Sequence, residues 1–320
     1  MTTPVARFVS VPALLLALLV AAPPLAPSSP VAVEAQSIGR LIAKAGRNAT
    51  MAPKAEKSLR FAVIGDTGTG ATPQYEVGER LNESHEVFPF TFVLMLGDNI
   101  YGGERPQDFV KKFEKPYQHL LDLKIPFYAS LGNHDDPNQR FYKPFNMDGQ
   151  RFYTFEKEGV RFFALDSNYM DQTQVDWIEK ELSTAKNTWK IAFFHHPLYS
   201  SGQRHGSEID LRTTLEPLFL KYGISVVFSG HEHFYERLLP QKGITYFTNG
   251  GGAKLREGNI RVGSSMTAKG FDTDRSYMLV EIADKTMHYQ ALSRTGALID
   301  SGSVEAVAAP PAPRSDAAVK

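Results

Sequence analysis

Short apolar runs alternate with amphipathic segments over most of this chain. Residues 59–64 form a run rich in strand-forming residues, and 92–96 is apolar at every position, as expected of a strand buried on both faces. Between these two runs, apolar residues recur at helical spacing over 75–81. Further strands are predicted at 125–131, 161–165, 190–194, 224–228, 244–248, 277–282 and 288–292, and further helices at 175–182 and 211–222.

The order of these elements favours one fold class. Strands alternate with helices as far as residue 228, and only strands are predicted after that point. Alternation of this kind, followed by a strand-rich end, is typical of an α/β layered sandwich. Neither an internal repeat nor a second domain is visible in the pattern.

The two ends of the chain differ from the rest. Arg7 precedes an apolar run over 13–22, after which prolines and small residues follow, a pattern typical of a secretory signal peptide. The run is shorter than the ~20 apolar residues that a membrane span needs, so no stable span is expected, although an uncleaved anchor is the alternative. We divide the chain into a signal peptide and linker (1–35), an N-terminal extension (36–58), one catalytic domain (59–305) and a disordered tail (306–320).

Composition narrows the function classes. The chain has 35 basic and 35 acidic residues and no block of like charge, so we do not expect nucleic acid as a partner. It has no cysteine, so the stability of an exported protein must come from its core rather than from disulfides. We expect a secreted or periplasmic protein that acts on small molecules.

Five motifs of acidic, amide and histidine residues each follow a predicted strand. Strand ends that open into loops are the usual position of catalytic groups in α/β folds. The motifs are Gly65-Asp66-Thr67-Gly68, Gly97-Asp98-Asn99-Ile100-Tyr101, Gly132-Asn133-His134-Asp135, Phe194-His195-His196-Pro197 and Gly230-His231-Glu232-His233.

These residue types suit two metal ions. Two cations ~3.5–4 Å apart need a carboxylate that can bridge them, and Asp66 and Asp98 provide carboxylates at two strand ends. His231 and His233 are two residues apart and so point to one side of an extended segment, while Asn133 offers a neutral oxygen. A turn would explain one Gly-Asp pair, but not the accompanying amide and imidazoles.

The five motifs resemble the signature of the calcineurin-like metallophosphoesterases. Tyr101, three residues after Asp98, further resembles the tyrosine of purple acid phosphatases, in which the phenolate binds a ferric ion. The resemblance implies a four-layer α-β-β-α sandwich of two mixed β-sheets flanked by helices, in a compact single-domain form.

The resemblance also implies a ligand set in which Asp98 bridges two metal ions. Fe(III) would bind Asp66, Asp98, Tyr101 and His233, and Fe(II), Zn(II) or Mn(II) would bind Asp98, Asn133, His195 and His231. Adjacent residues of a strand point to opposite sides, so His195 and His196 are alternatives. Alignment through Pro197 favours His195, although Ala192 stands where the family usually has valine.

The chemistry implied is that of an exported acid phosphatase that hydrolyses small phosphate monoesters. Two cations lower the pKa of a water so that hydroxide can attack phosphorus. His134 and His205 are the predicted catalytic residues, which contact phosphate or protonate the leaving group. Alternatives are a phosphodiesterase or nucleotidase on the same fold, and a binding module without activity. Glu236 and Arg237 are expected to form an ion pair beneath the site.

Overall fold

The computed structural model describes residues 49–307, so the predicted leader and nearly all of the predicted tail lie outside the described residues. The strands are β1 Leu59–Ile64, β2 Val93–Met95, β3 Phe127–Ala129, β4 Tyr153–Lys157, β5 Val160–Ala164, β6 Trp189–Phe194, β7 Val226–Ser229, β8 Tyr235–Leu238, β9 Thr245–Asn249, β10 Thr267–Phe271, β11 Ser276–Ala283, β12 Thr286–Ser293 and β13 Leu298–Glu305.

Helices occupy the intervals between the early strands. The α-helices are α1 Thr72–Val87, α2 Pro106–Phe109, α3 Gln118–Asp122, α4 Gln172–Thr184 and α5 Ile209–Tyr222. A π-helical turn, Val110–Glu114, follows α2, and two 3₁₀ turns, Pro137–Phe141 and Lys143–Phe145, follow β3. Within residues 49–307, no helix combines the length and the apolar character that crossing a bilayer requires.

The strands form two mixed sheets, as predicted. The first sheet has the order β13-β12-β11-β1-β2-β3, and the second has the order β10-β8-β9-β7-β6-β5-β4. In the first sheet β1, β2 and β3 are parallel neighbours, and in the second β5, β6, β7 and β9 are parallel. The α/β class with two mixed sheets and flanking helices is therefore confirmed.

Alternating side chains on β1 show why the layers form. Phe61 lies between the sheets, where its ring stacks on Phe92 at 5.1 Å and meets the edge of Phe162 from the second sheet at 5.5 Å. Ile64 faces the other way and packs with Leu81 of α1. Because successive strand residues point to opposite faces, one apolar strand joins both cores.

The second sheet is covered on its outer face by the two long helices that follow its strands. Ile178 and Leu182 of α4, with Leu215 and Phe219 of α5, pack in the same cluster as Phe194 of β6. Helices therefore lie outside each sheet, with an apolar core between the sheets.

The residues before β1 are attached to the first sheet. The Glu281 carboxylate on β11 accepts hydrogen bonds from the N–H groups of Lys54 and Ala55, at 2.7 and 3.0 Å, and from the Ser58 hydroxyl at 2.8 Å. The described part of the predicted N-terminal extension, 49–58, therefore contacts the strand next to β1.

Candidate metal centre

The predicted metal ligands meet at one end of the two sheets. Asp66, Asp98 and Asn133 follow the parallel strands β1, β2 and β3, whereas His195 and His231 follow the parallel neighbours β6 and β7. The carboxyl ends of parallel neighbours lie at the same edge of a sheet, so five distant segments deliver side chains to one place.

One group of side chains surrounds Tyr101. The Tyr101 hydroxyl donates to Asp66 Oδ1 at 3.0 Å, and His233 Nε2 lies 3.4 Å from the same carboxylate oxygen and 3.4 Å from the phenol oxygen. Ligand atoms of Asp66, Asp98 and His233 all lie within 4.8 Å of one another. The structure thus brings together the four side chains predicted for the first ion.

A second group lies on the other side of Asp98. His195 Nδ1 is 2.9 Å from the Leu96 carbonyl, a contact that requires a proton on Nδ1 and leaves a lone pair on Nε2. That Nε2 is 3.0 Å from Asn133 Oδ1 and 3.1 Å from His231 Nδ1, and the last two atoms are 3.0 Å apart. These are the side chains predicted for the second ion, with His195 oriented as a donor of its lone pair.

Asp98 lies between the two groups with one oxygen unpaired. Its Oδ1 accepts the His134 N–H at 2.9 Å and is 3.5 Å from His195 Nε2. Its Oδ2 is buried and has no hydrogen-bond partner among the described residues. A buried, unpartnered carboxylate oxygen is costly unless an ion or another group binds it, so Asp98 fits the bridging position.

The electrostatics of the site also fit bound cations. Burial, with the nearby charge of Asp98, raises the pKa of Asp66 well above its ordinary value, although hydrogen bonds from His231 N–H and Tyr101 oppose the shift. Burial lowers the pKa of His231 to about 2 and that of His233 to about 4, so both imidazoles are neutral. Neutral imidazoles and crowded carboxylates are the donors that two metal ions require.

His196 is also close to the centre, although the predicted ligand set omits it. Its ring centroid is 4.4 Å from that of His231, and a ligand atom of His196 lies within 4.8 Å of those of His195 and His231. The Ser167 hydroxyl lies 2.8 Å from His196 Nδ1 and also accepts the backbone N–H of His196. The rings of His195, His196 and His231 therefore form one cluster, with centroids 4.4–4.9 Å apart.

The two predicted catalytic histidines lie at the exposed rim. His134 is solvent-exposed, with its ring centroid 5.0 Å from that of Tyr101, and His205 is exposed with its ring 4.2 Å from that of His231. Burial, together with the charges of Arg256 and Arg204, lowers the pKa of His205. Each of these two rings is therefore exposed beside a predicted metal ligand.

The backbone of the site is strained at three predicted ligands. Asp66, Asp98 and His231 have φ angles of 54°, 52° and 68°, in the left-handed region that non-glycine residues rarely adopt. Neighbouring glycines permit close approach: a Cβ on Gly132 would lie 2.2 Å from the backbone nitrogen of Asp98, and one on Gly230 would lie 2.6 Å from Asp66 Oδ2. The tight packing of ligand segments requires these glycines.

Two acidic residues that were given no predicted role hold the site together. Asp135 accepts backbone N–H groups from Asn99, Ile100 and Gly132, which ties the second motif to the third. Glu232, fully buried, accepts the N–H groups of His205 and Gly206 through Oε1. Both residues lie inside the motifs, so the sequence indicated that they are near the site. Their hydrogen-bond partners could not be predicted, because these lie in segments far away in sequence.

The expected ion pair between Glu236 and Arg237 is wrong. Adjacent strand residues point to opposite faces, and Arg237 instead pairs with Asp300 of β13 at 2.7 Å. Glu236 points the other way and accepts hydrogen bonds from the Ser201 N–H and the Thr267 hydroxyl.

The sequence matches a known protein family over the residues that carry this site. Residues 59–235, more than half of the chain, match the family model described as calcineurin-like phosphoesterase. The chain therefore belongs to the calcineurin-like phosphoesterase family. Within that family its relatives are purple acid phosphatases, which confirms the resemblance and supports a dinuclear metal site.

Two relatives show how far the sequences have diverged. The chain is 25% identical over 247 residues to human tartrate-resistant acid phosphatase type 5, covering 63% of this chain and 75% of that protein. It is also 25% identical over 244 residues to purple acid phosphatase 17 of Arabidopsis thaliana, covering 65% of this chain and 72% of that protein.

Solved structures share the fold. Purple acid phosphatase PPD1 from yellow lupin superposes with a TM-score of 0.62 at 18% identity, over 80% of this chain and 55% of that one. GAP50, described as the anchor in the inner membrane complex of Plasmodium, superposes with a TM-score of 0.67 at 20% identity, over 78% and 90%. At these identities the likeness concerns the fold alone.

Proposed function

We propose that this protein is an exported dinuclear-metal acid phosphatase of the purple acid phosphatase type, which hydrolyses small phosphate monoesters. One observation carries the proposal: Tyr101 lies in hydrogen-bond contact with Asp66 beside His233, next to the unpartnered oxygen of Asp98. The family assignment and the acid phosphatase relatives support the same reaction class.

The metal assignment follows from the donor types. Fe(III) is assigned to Asp66, Asp98, Tyr101 and His233, as the resemblance to purple acid phosphatases implies, and this set combines two carboxylates with a phenol oxygen. Fe(II), Zn(II) or Mn(II) is assigned to Asp98, Asn133, His195 and His231, a set dominated by neutral donors.

The side chains around the metals have separate tasks in this proposal. When bound, the two cations supply a nucleophile by acidifying water and neutralise charge on the phosphoryl oxygens. His134 and His205, exposed beside Tyr101 and His231, donate hydrogen bonds to phosphate and supply a proton to the departing alkoxide. The buried Glu232 keeps the His205 backbone in position through two N–H contacts.

The proposed domain organisation assigns catalysis to residues 59–305, preceded by a cleaved leader and linker over 1–35 and an extension over 36–58, and followed by a tail over 306–320. The apolar run over 13–22 supports a leader. Expression of the full chain in a secreting host, followed by fractionation and N-terminal sequencing, tests export. Full-length protein retained in the membrane fraction would contradict it.

The iron assignment is tested by a visible spectrum and elemental analysis. Metal-replete protein is expected to contain iron and to show a tyrosinate-to-iron absorption band that disappears in Tyr101→Phe. Phenylalanine keeps the ring contacts with His134 and Lys254 but has no phenolate oxygen to coordinate a metal ion. Tyr75→Phe, a solvent-facing change on α1, is the matched control and is expected to keep the band. Wild-type protein without iron or band would contradict the assignment.

Substrate class is tested with aromatic phosphate mono- and diesters. We expect faster hydrolysis of the monoester and loss of activity when the metals are removed. A preference for the diester would favour a phosphodiesterase. A metal-replete protein inert toward both esters at acid and neutral pH would favour a binding module on this fold.

A further inference from the structure

A pocket of ~380 Å³ opens beside the second group of predicted ligands. The residues that line it include Asn133, His196, Leu131 and Leu211. A group that reaches Asn133 lies next to the reacting centre, so whatever fills this pocket is attached to the phosphate or adjacent to it. The volume suits a small organic group rather than a phosphate alone.

The pocket carries no positive charge in its lining. Asp166 is one of its carboxylates, but Arg151 Nη1 forms an ion pair with it at 2.8 Å. Glu208, just before α5, is different: its carboxylate makes neither an ion pair nor a hydrogen bond with another residue of the range 49–307. Glu208 therefore gives the pocket a negative charge that no ion pair neutralises, although this charge also acts on His205 and opposes the lowering of its pKa.

The lining of the pocket also includes an aromatic side chain, Tyr169. The Tyr169 side chain is 60% exposed, and the Arg151 guanidinium carbon lies 5.8 Å from its ring centroid. The ring adds apolar surface to the pocket, whereas the Glu208 carboxylate attracts an ammonium group and repels a carboxylate or a second phosphate.

The cationic side chains near the centre do not line this pocket. Lys254 Nζ is 4.4 Å from the ring centroid of Tyr101, and Arg256 lies 3.7 Å from Glu232, beyond hydrogen-bond distance. Arg256 and Lys254 both contribute to the lowered pKa of His233, after burial. Lys254 thus adds positive charge beside Tyr101, and Arg256 and Arg204 act on His205, whereas neither lysine nor arginine is among the residues that line the pocket.

We propose that this pocket binds the alcohol part of the substrate and that Glu208 selects alcohols that carry an ammonium group over those that carry an anion. The inference rests on the proposed phosphatase function and adds the substrate class to it. Glu208 is a specificity residue that contacts the leaving group, and Tyr169 provides the apolar face beside it.

Three phosphate monoesters with two-carbon alcohols test the idea. Ethanolamine phosphate carries an ammonium, 2-hydroxyethyl phosphate is neutral, and 2-phosphoglycolate carries a carboxylate. We expect kcat/KM to fall in that order, with the ammonium ester at least about tenfold better than the carboxylate ester at low salt. In Glu208→Gln the ratio is expected to shrink about three- to tenfold, and in Glu208→Lys to invert.

The control is Glu158→Gln, the same change on an exposed carboxylate at the opposite end of β5, which is expected to keep the wild-type ratio. An unchanged ratio in Glu208→Gln, or a wild-type preference for 2-phosphoglycolate, would overturn the inference while leaving the phosphatase function intact.

Binding without turnover separates the inference from the proposed function. Calorimetric titration of metal-replete protein with 2-aminoethylphosphonate and 3-phosphonopropionate, neither of which is hydrolysed, is expected to show tighter binding of the former and loss of that preference in Glu208→Gln. Charge-selective binding with no hydrolysis of any ester would uphold the pocket and reject the phosphatase. Equal binding of both phosphonates would reject the pocket assignment.

Discussion

At the scale of single residues, the adjacent histidines differ in which partner holds each ring. His195 Nδ1 is fixed by the buried Leu96 carbonyl, so its Nε2 points into the centre with a lone pair. His196 is held by the Ser167 hydroxyl and lines the neighbouring pocket. The backbone contact of His195 therefore determines which of the two imidazoles is prepared to bind a metal ion.

This difference predicts unequal effects of two matched substitutions. His195→Ala is expected to weaken binding of the second metal at least about 100-fold, because a direct ligand is removed. His196→Ala is expected to weaken it less than about tenfold, since only a ring that packs against His231 is lost. Metal titration of each metal-free variant, with circular dichroism to check folding, measures both. The reverse order would identify His196 as the ligand.

Residue identity in the centre could be predicted because each motif combines a ligand type with a strand end. The contacts that hold these motifs together could not be predicted in this way. Glu232 and Asp135 hold backbone N–H groups that are 26 and 36 residues away, as in the Gly206 and Asn99 contacts. No local pattern encodes such pairings. Glu236 and Arg237 were paired wrongly for the same reason, because the partner of Arg237 comes from the last strand.

At the scale of elements, the strands that the pattern indicated are mostly the buried ones. β4 and β13 were not predicted, and β13 is largely exposed with the sequence LIDSGSVE. An edge strand of this kind lacks an apolar signature, because its ordering comes from pairing with β12 rather than from burial. β8 and β10 pair with each other, and local alternation gave no sign of either.

The segment before β1 supplies the prediction at this scale. Glu281→Gln is expected to reduce the free energy of unfolding by about 1–3 kcal/mol at neutral pH and to expose residues 49–58 to proteolysis, since charged acceptors of N–H groups are lost. Chemical denaturation and limited proteolysis measure the two effects. Glu158→Gln, on an exposed turn, is the control and is expected to be neutral.

The same carboxylate predicts the pH dependence. Burial raises the pKa of Glu281, but hydrogen bonds from Lys54, Ala55 and Ser58 outweigh it, so the net pKa lies below the ordinary 4.5. A lowered folded-state pKa contributes stability above the unfolded value, and this stability is lost as the pH falls through the folded value. The difference between wild type and Glu281→Gln should therefore be constant near neutral pH and shrink as the pH falls below the ordinary value of 4.5. A difference that also stays constant below that value would show that charge is not involved.

At the scale of the whole molecule, two sheets and their covering helices form a rigid base for a centre that is itself unfavourable. Aromatic rings such as Phe61, Phe92 and Phe162 fill the space between the sheets. The centre lies beyond the ends of the strands, where the buried Asp66 and Asp98 carboxylates repel each other. Burial of the apolar core thus offsets the free-energy cost of the charged centre.

Removal of the metals is therefore expected to destabilise the entire domain. At a metal concentration about 100 times the dissociation constant, binding adds about 2.7 kcal/mol to the free energy of unfolding. Thermal denaturation with and without a chelator measures the change, and the effect should be smaller in His195→Ala, which binds one ion less well. Equal melting temperatures with and without metal would show that the described side chains do not bind cations.

The left-handed backbone at Asp66, Asp98 and His231 affects how this protein family can evolve. Each non-glycine residue in that region costs ~1–2 kcal/mol, which a glycine would not incur. Replacing Asp66 or Asp98 with glycine would therefore remove backbone strain and one of two buried carboxylates that repel each other, together with a proposed metal ligand. A lineage in which the reaction is no longer under selection can lose it while the free energy of unfolding rises. Inactive proteins with this fold can therefore evolve without a loss of stability.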